Sequence, residues 1–310
     1  MRAYLFPGQG AQAVGMGRAL AEAYPAAQAV FDEVDEALGE KLSTTVWEGP
    51  EDRLTLTANA QPALMATSLA AVRALTAEGV EVSGAAYVAG HSMGEYSALA
   101  AAGSLSVADA ARLLRLRGAA MQAAVPVGVG AMAAVLGLDL AAVREIADAA
   151  AEGEVCQAAN DNDPGQIVVS GHAAAVGRAV TIAKERGAKR AILLPVSAPF
   201  HCALMQPEAE AMADALAAVT VAPPSVPLVA NVKAEAVSDP DEIRRLLVEQ
   251  VTAAVRWRES VAWMAANGVT ETVELGAGKA LSGMVRRIDR AVGVANVATP
   301  EDVRRLAETG

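Results

Sequence analysis

Ala85-Ala86-Tyr87-Val88-Ala89-Gly90-His91-Ser92-Met93-Gly94-Glu95-Tyr96-Ser97 passes through three conformations in one short run. Ala85–Ala89 reads as a buried strand, Gly90–Gly94 as a sharp turn, and the alanine-rich residues that follow as a helix ended by Gly103. A strand that feeds a helix through so tight a turn is the building unit of a parallel sheet covered by helices. The segments around it agree. Arg2–Phe6 is a strand candidate followed by a Gly-rich turn and a helix from near Gly15, and Val107–Ala124 is a helix stopped by Pro126.

The pattern changes after Pro126. Ala131–Leu136 reads as strand, Asp139–Ala151 as helix, Glu154–Ala159 and Gln166–Ser170 as strands joined by a turn at Asp161–Gly165. Ala173–Arg186 is helical and Arg190–Pro195 is strand. The order βαββαβ is that of a ferredoxin-like unit. The chain is therefore expected to be α/β, with a main domain over residues 1–126 and 197–310 and a small ferredoxin-like domain over 127–196 inserted into it.

The turn itself carries chemistry. Gly90-His91-Ser92-Met93-Gly94 fits G-x-S-x-G between a strand and a helix. That turn forces the serine into a strained backbone conformation and projects its hydroxyl outward. The N–H groups at the helix start are left free to hold an oxyanion. The plain alternative is a glycine-rich turn with Ser92 as helix cap. A nucleophilic serine needs a base, and the chain has three histidines. His91 adjoins Ser92 and is expected to point elsewhere. His172, at the start of a helix in the small domain, suits a surface cap. His201 lies in the loop Val196-Ser197-Ala198-Pro199-Phe200-His201-Cys202 where the chain re-enters the main domain, and by elimination it is the base.

Arg117 stands out on its helix. At 100° per residue it projects with Ala110, Leu113, Leu114 and Met121, the core-facing positions, whereas Arg112 and Arg115 can reach solvent. A guanidinium on the buried side is costly unless paired. Two readings are open: an internal Asp or Glu neutralises it, or it awaits an anionic ligand whose carboxylate its fork would match.

Gly8-Gln9-Gly10-Ala11-Gln12-Ala13 formally satisfies G-x-G-x-x-A, with Asp32 and Glu33 at a tempting distance. A dinucleotide site needs that acid at the end of a second strand. Here Ala27, Val30, Phe31, Val34 and Leu38 give Tyr24–Leu38 helical spacing, so the reading fails. The loop is better explained as backbone approaching a ligand closely.

Composition bounds the rest. Of 310 residues 53% are hydrophobic but only 3% aromatic, which favours closely packed alanine-rich helices over an aromatic-filled sandwich. No apolar run has the length of a membrane span, and Met1–Pro7 lacks signal-peptide character and reads as the first strand of a cytoplasmic protein. Cys156 and Cys202 are too few for a disulfide framework or a zinc site and are expected to be inert thiols. A net charge of −11 argues against nucleic acid or an anionic membrane as main partner.

Together, Phe6-Pro7-Gly8-Gln9-Gly10-Ala11-Gln12, the stretch Gly90–Ser97, Arg117-Gly118, Gly130–Val135, Asn160–Gln166, Ser197–Cys202 and Glu274-Leu275-Gly276-Ala277-Gly278-Lys279 closely resemble the malonyl-CoA:acyl carrier protein transacylases, over nearly the whole chain and in the expected order. The resemblance implies an α/β-hydrolase-like main domain with a ferredoxin-like insertion. It implies that malonyl-CoA and acyl carrier protein are the partners, with no cofactor and no metal, in fatty-acid biosynthesis, and that the protein is a cytoplasmic monomer. Ser92 would take the malonyl group and His201 would be its base, oriented by the backbone carbonyl of Gln250. Arg117 would grip the malonyl carboxylate. The N–H groups of Gln9 and Met93 would form the oxyanion hole, and Asn160, Asn162 and Asn231 would support the site. Phe200 is like the residue in members that accept malonyl rather than an α-methyl acyl group. The chain departs from the family at Ala277, where proline is common.

Two alternatives share the nucleophile: a discrete acyltransferase serving a polyketide synthase, and a serine thioesterase. The second normally orients its histidine with an acid and has no use for Arg117. A non-catalytic module that keeps the fold is a third, opposed by the intact Ser92 and His201. Docking of an acidic carrier on an acidic enzyme calls for a local basic surface, for which Lys189 with Arg190 and Arg286 with Arg287 are the candidates.

Overall fold

A computed structural model describes residues 1–196 and 198–309 of the chain. Ser197, at which the main domain was expected to resume and the loop motif before His201 to begin, lies outside the described residues.

Ten strands occur among the described residues: β1 (Arg2–Phe6), β2 (Tyr87–Gly90), β3 (Gly130–Leu136), β4 (Cys156–Asp163), β5 (Gln166–His172), β6 (Arg190–Leu193), β7 (Leu228–Val229), β8 (Ala236–Val237), β9 (Glu271–Leu275) and β10 (Gly293–Val297). They form two sheets. The first runs β10-β9-β1-β2-β7-β8 and is parallel except for the β7–β8 pair. The second runs β4-β5-β3-β6 and is antiparallel throughout. The fold is thus mixed α/β. Its central strand β1 is buried along Ala3–Phe6, as a strand covered on both faces by helices must be.

The second sheet follows the strand and helix order read from the sequence, but one boundary moved for a reason. The turn expected at Asp161–Gly165 is confined to Pro164 and Gly165, because β4 continues to Asp163. The polar residues that suggested a turn are paired instead. Arg258 and Arg287 grip the buried carboxylates of Asp161 and Asp163 at 2.7 and 2.8 Å, and the backbone of Asp161 donates to Val255. These contacts tie the small sheet to the main body, with Asn160 and Val255 forming an isolated parallel bridge.

The helix expected near Gly15 begins at Arg18. Gly15 and Gly17 hold φ of 91° and 72°, which keeps the chain out of the helical region until then. Val107–Ala124 is helical over the whole expected span, with Ser106 as cap accepting from the Asp109 N–H. Pro25–Leu38 is a helix too, so Asp32 and Glu33 are not at a strand end and no dinucleotide site is formed. No helix among the described residues is long and apolar enough to cross a membrane. Cys156 and Cys202 are free and buried, and burial pushes the Cys156 thiol up to about 11, away from its reactive form.

The two glycines of the turn are there for space. A Cβ on Gly90 would lie 1.9 Å from the carbonyl carbon of Gly94, and one on Gly94 would lie 2.2 Å from the carbonyl oxygen of Phe6. Because the obstacle is backbone in both cases, nothing can rotate aside. Gly90→Ala is expected to destabilise the fold by about 3 kcal/mol, the upper end for overpacking, measured by urea denaturation. A change within a few tenths of a kcal/mol would contradict this close approach.

Candidate active site

Ser92 sits on the turn between β2 and the Gly94–Ala101 helix with φ of 52°, a left-handed conformation that costs a non-glycine residue energy and persists because its surroundings hold it. Those surroundings are identifiable. Asn231 accepts from the Ser92 N–H at 2.7 Å and donates to the Gly90 carbonyl at 2.7 Å, bracing both ends of the turn. Gln250 donates to the Ser92 carbonyl at 3.0 Å. Ser92 does not cap its helix: the residue at the cap position is Met93, and the Ser92 hydroxyl is turned to His201.

The imidazole of His201 lies 2.7 Å from Ser92 Oγ through Nε2 and 2.9 Å from the Gln250 carbonyl oxygen through Nδ1. A carbonyl oxygen can only accept, so Nδ1 carries the proton and Nε2 is left bare toward the serine. Burial, then repulsion from Arg117, lowers His201 to about 3. The ring is therefore neutral at ordinary pH and able to take a proton. Like Ser92, His201 has a left-handed backbone, with φ of 59°, a feature its sequence does not announce.

Arg117, 1% exposed, reaches the same point. Its Nη2 donates to Ser92 Oγ at 3.2 Å and to Gln250 Oε1 at 3.0 Å, and Nη1 donates to Gln61 Oε1 at 2.9 Å. The ring of Tyr96 lies 5.9 Å from its centre. Both readings left open by the helix geometry are partly present. A buried acid, Glu208, lies 3.8 Å from Nε, but makes no hydrogen bond to it. The Nη edge, meanwhile, faces the serine.

Ser92, His201 and Arg117 open on one cavity of about 420 Å³. Gln9, Met93, Asn160 and Phe200 also line it, with Met121, Met132 and Leu194 supplying apolar wall. Among the described residues the N–H groups of Gln9 and Met93 donate to no other residue. The Gly8–Gly10 loop runs close against the serine turn: a Cβ on Gly8 would lie 2.7 Å from the His91 carbonyl oxygen. Asn162 and Asn231 lie behind the cavity lining rather than in it. Asn162 holds His91 Nε2 at 2.8 Å, which packs that ring against Trp257. His172 does not cap with its side chain; its Nδ1 accepts from the Val155 N–H.

Four polar residues of the site escaped the sequence reading: Gln61, Glu95, Glu208 and the side chain of Gln250. Glu95 is buried beneath the turn, accepting from the Asn231 N–H at 2.5 Å and from Gln250 Nε2, and burial raises it to about 8. Gln61, Glu95 and Glu208 sit in helices and Gln250 just past the end of one, each with its partner far away in sequence, so no local pattern marks them.

A family profile of the acyl transferase domain matches residues 3–298. The chain is 47% identical over 308 residues to the malonyl CoA-acyl carrier protein transacylase of Bacillus subtilis, covering 99% of this chain and 96% of that one. It belongs to the malonyl-CoA:acyl carrier protein transacylase family. Among solved structures of this kind, the acyl-carrier-protein-S-malonyltransferase of Bartonella henselae superposes with a TM-score of 0.98 at 56% identity, covering 99% and 98% of the two chains. A malonyl-transacylase in complex with a type II PKS acyl-carrier protein superposes with a TM-score of 0.97 at 39% identity, covering 100% and 99%. At Gly276-Ala277-Gly278, where a departure from the family was read in the sequence, both glycines are left-handed, with φ of 115° and 81°.

Proposed function

We propose that this protein moves a malonyl group from coenzyme A to the phosphopantetheine thiol of an acyl carrier protein, through a malonyl ester on Ser92, in fatty-acid biosynthesis. The observation that carries the proposal is the convergence of Arg117 Nη2 and His201 Nε2 on Ser92 Oγ, at 3.2 and 2.7 Å. A hydrolase needs the second contact only. A carboxylate-bearing acyl group uses both.

In the first half-reaction His201 Nε2 takes the Ser92 proton as Oγ attacks the thioester carbonyl carbon. The oxyanion is held by the N–H groups of Gln9 and Met93, each worth roughly 3 kcal/mol in such sites. The carbon–sulfur bond then breaks, and the coenzyme A sulfur leaves with the proton from His201. In the second half the carrier thiol gives its proton to Nε2 and attacks the ester, and Ser92 recovers the proton as it leaves. Arg117 grips the malonyl carboxylate throughout, Phe200 bounds the space beside it, and Asn160, Asn162 and Asn231 hold the surrounding wall and turn. The Gln250 carbonyl replaces the acid of a catalytic triad, which weighs against the thioesterase alternative.

The electrostatics add selectivity. Arg117 is part of what holds His201 down, so a carboxylate seated on Arg117 relieves that repulsion and makes the imidazolium easier to form. A malonyl substrate thereby strengthens its own base. In the free enzyme His201 is neutral far below the usual histidine range, so kcat/KM for malonyl-CoA is expected to be flat from about pH 5 to 7. An acid limb centred near the ordinary histidine value of about 6.5 would contradict that state of the ring.

We read residues 1–126 with 197–310 as an α/β-hydrolase-like catalytic domain and 127–196 as a ferredoxin-like insertion, a reading supported by the β4-β5-β3-β6 order and its antiparallel pairing. The protein is taken as a cytoplasmic monomer. For the carrier, the basic pairs are unequal: Arg287 is engaged by Asp163, which leaves Lys189, Arg190 and Arg286 as the freer charges. The similarity to a transacylase bound to a type II PKS carrier also favours a polyketide carrier as second reading. Incubation with a panel of acyl-CoA thioesters, intact-mass detection of the acyl-enzyme, and transfer to fatty-acid and polyketide carriers test both. Release of free malonate in place of transfer would overturn the proposal.

A further inference from the structure

Most buried carboxylates of this protein are well supplied with donors. Glu274 accepts from the N–H groups of Leu281 and Ser282, the Ser282 hydroxyl and Asn296. Glu208, fully buried on the Gln206–Ala217 helix, is different: neither of its oxygens accepts a hydrogen bond from a described residue. Among the described residues its one charged neighbour is Arg117, whose Nε, likewise without an acceptor, lies 3.8 Å from Oε1. A bare carboxyl group in such a place is expensive and contributes little to stability. As a structural pair it would be poorly built, because 3.8 Å without a hydrogen bond neither satisfies the acid nor immobilises the guanidinium.

The geometry points to Glu208 as a positioning residue that acts on substrate through Arg117, a counter-charge just beyond hydrogen-bond reach that competes with the substrate carboxylate for the guanidinium and so tunes the grip on malonyl. The inference rests on the reading of Arg117 as that grip. Among the described residues all the hydrogen-bond acceptors of the Nη groups (Gln61, Gln250, Ser92 and the Met121 sulfur) are neutral. Charge balance at the guanidinium is therefore decided between Glu208 on one side and the incoming acyl carboxylate on the other.

The protonation of Glu208 then sets the strength of the grip. Burial raises it to about 8, with Arg117 opposing. Below that pH the neutral acid leaves Arg117 its full pull; above it the ionised acid offsets part of that pull. Few other groups face it. The Gly94–Ala101 helix brings the Tyr96 hydroxyl, buried and unpaired, while Glu95 on that helix is already occupied by Asn231 and Gln250. The Ala203–Met205 turn brings no titratable group. The Pro240–Glu249 helix turns Arg244 to the carbonyls of Leu216 and Val219, and Arg245 to Glu249.

The test is KM for malonyl-CoA and for acetyl-CoA between pH 6 and 9.5 in the parent enzyme, Glu208→Gln, Glu208→Met and Arg117→Ala. In the parent, KM for malonyl-CoA is expected to rise roughly tenfold through pH 8, the effect of a coupling of one pKa unit, with no such rise for acetyl-CoA. Either Glu208 variant should hold the low-pH value throughout, and Glu208→Met reports the result if the Gln variant does not fold. Persistence of the rise in these variants would assign it to Glu95 or elsewhere and overturn the inference, as would equal changes for both acyl groups. Arg117→Ala separates the two levels. If it impairs malonyl selectively while the Glu208 variants behave like the parent, only this inference fails; if it impairs both acyl groups equally, the grip and the inference fail together.

Discussion

Ser92→Ala is expected to leave a folded protein that holds no acyl group, with transfer reduced by on the order of 10⁶, the loss seen when a serine nucleophile is removed from a working dyad. The reason lies in the contacts of Oγ. It is the one atom that both His201 Nε2 and Arg117 Nη2 address, and no cysteine can substitute, since Cys202 is buried with its sulfur turned to the Pro199 carbonyl at 3.1 Å. The braces on the turn reach the backbone of residue 92 rather than its side chain, so the alanine variant should keep its stability. Intact-mass analysis after incubation with malonyl-CoA checks this. A malonyl adduct on the alanine variant would mean another nucleophile.

The second large effect is expected from Arg117→Ala. Truncation leaves Gln61, Gln250 and Glu208 without their shared cation and removes the partner of the substrate carboxylate, so the barrier for malonyl transfer should rise by roughly 2–5 kcal/mol. The loss should be selective. Acetyl has no carboxylate to orphan, and with Arg117 gone the repulsion that holds His201 down is also relieved. The ratio of malonyl to acetyl in kcat/KM should therefore collapse. Equal losses for the two acyl groups would show that Arg117 merely supports the packing around Gln61 and Tyr96.

Much of this arrangement could be read without coordinates because it is written in local patterns. A glycine turn between strand and helix must place Ser92 where it does, since the backbone clearance at Gly90 and Gly94 admits no side chain. The helical phase of Arg117 with Leu113, Leu114 and Met121 put it on the buried side before any partner was known, and all four are buried. The family resemblance then supplied roles for Gln9, Met93, Gln250 and the asparagines that spacing alone could not. The β4 boundary was misjudged because polarity was taken for exposure. Asp161 and Asp163 are polar because Arg258 and Arg287 come to meet them from a distant part of the chain.

The sequence by itself thus determined the strand–turn–helix that presents Ser92, the alternation that makes a parallel sheet, the antiparallel unit after Pro126 and the burial of one arginine. Each depends on residues within a turn or two of one another, where steric limits and periodicity operate. Tertiary structure alone decided what Arg117 faces. It put Ser92 Oγ at one edge of the guanidinium and Glu208 behind the other, and it made a backbone carbonyl the partner of His201. Those are meetings between segments far apart along the chain. Their consequence is electrostatic: burial first, and then a cation within a few ångströms, shifts the protonation of His201 and of Glu208.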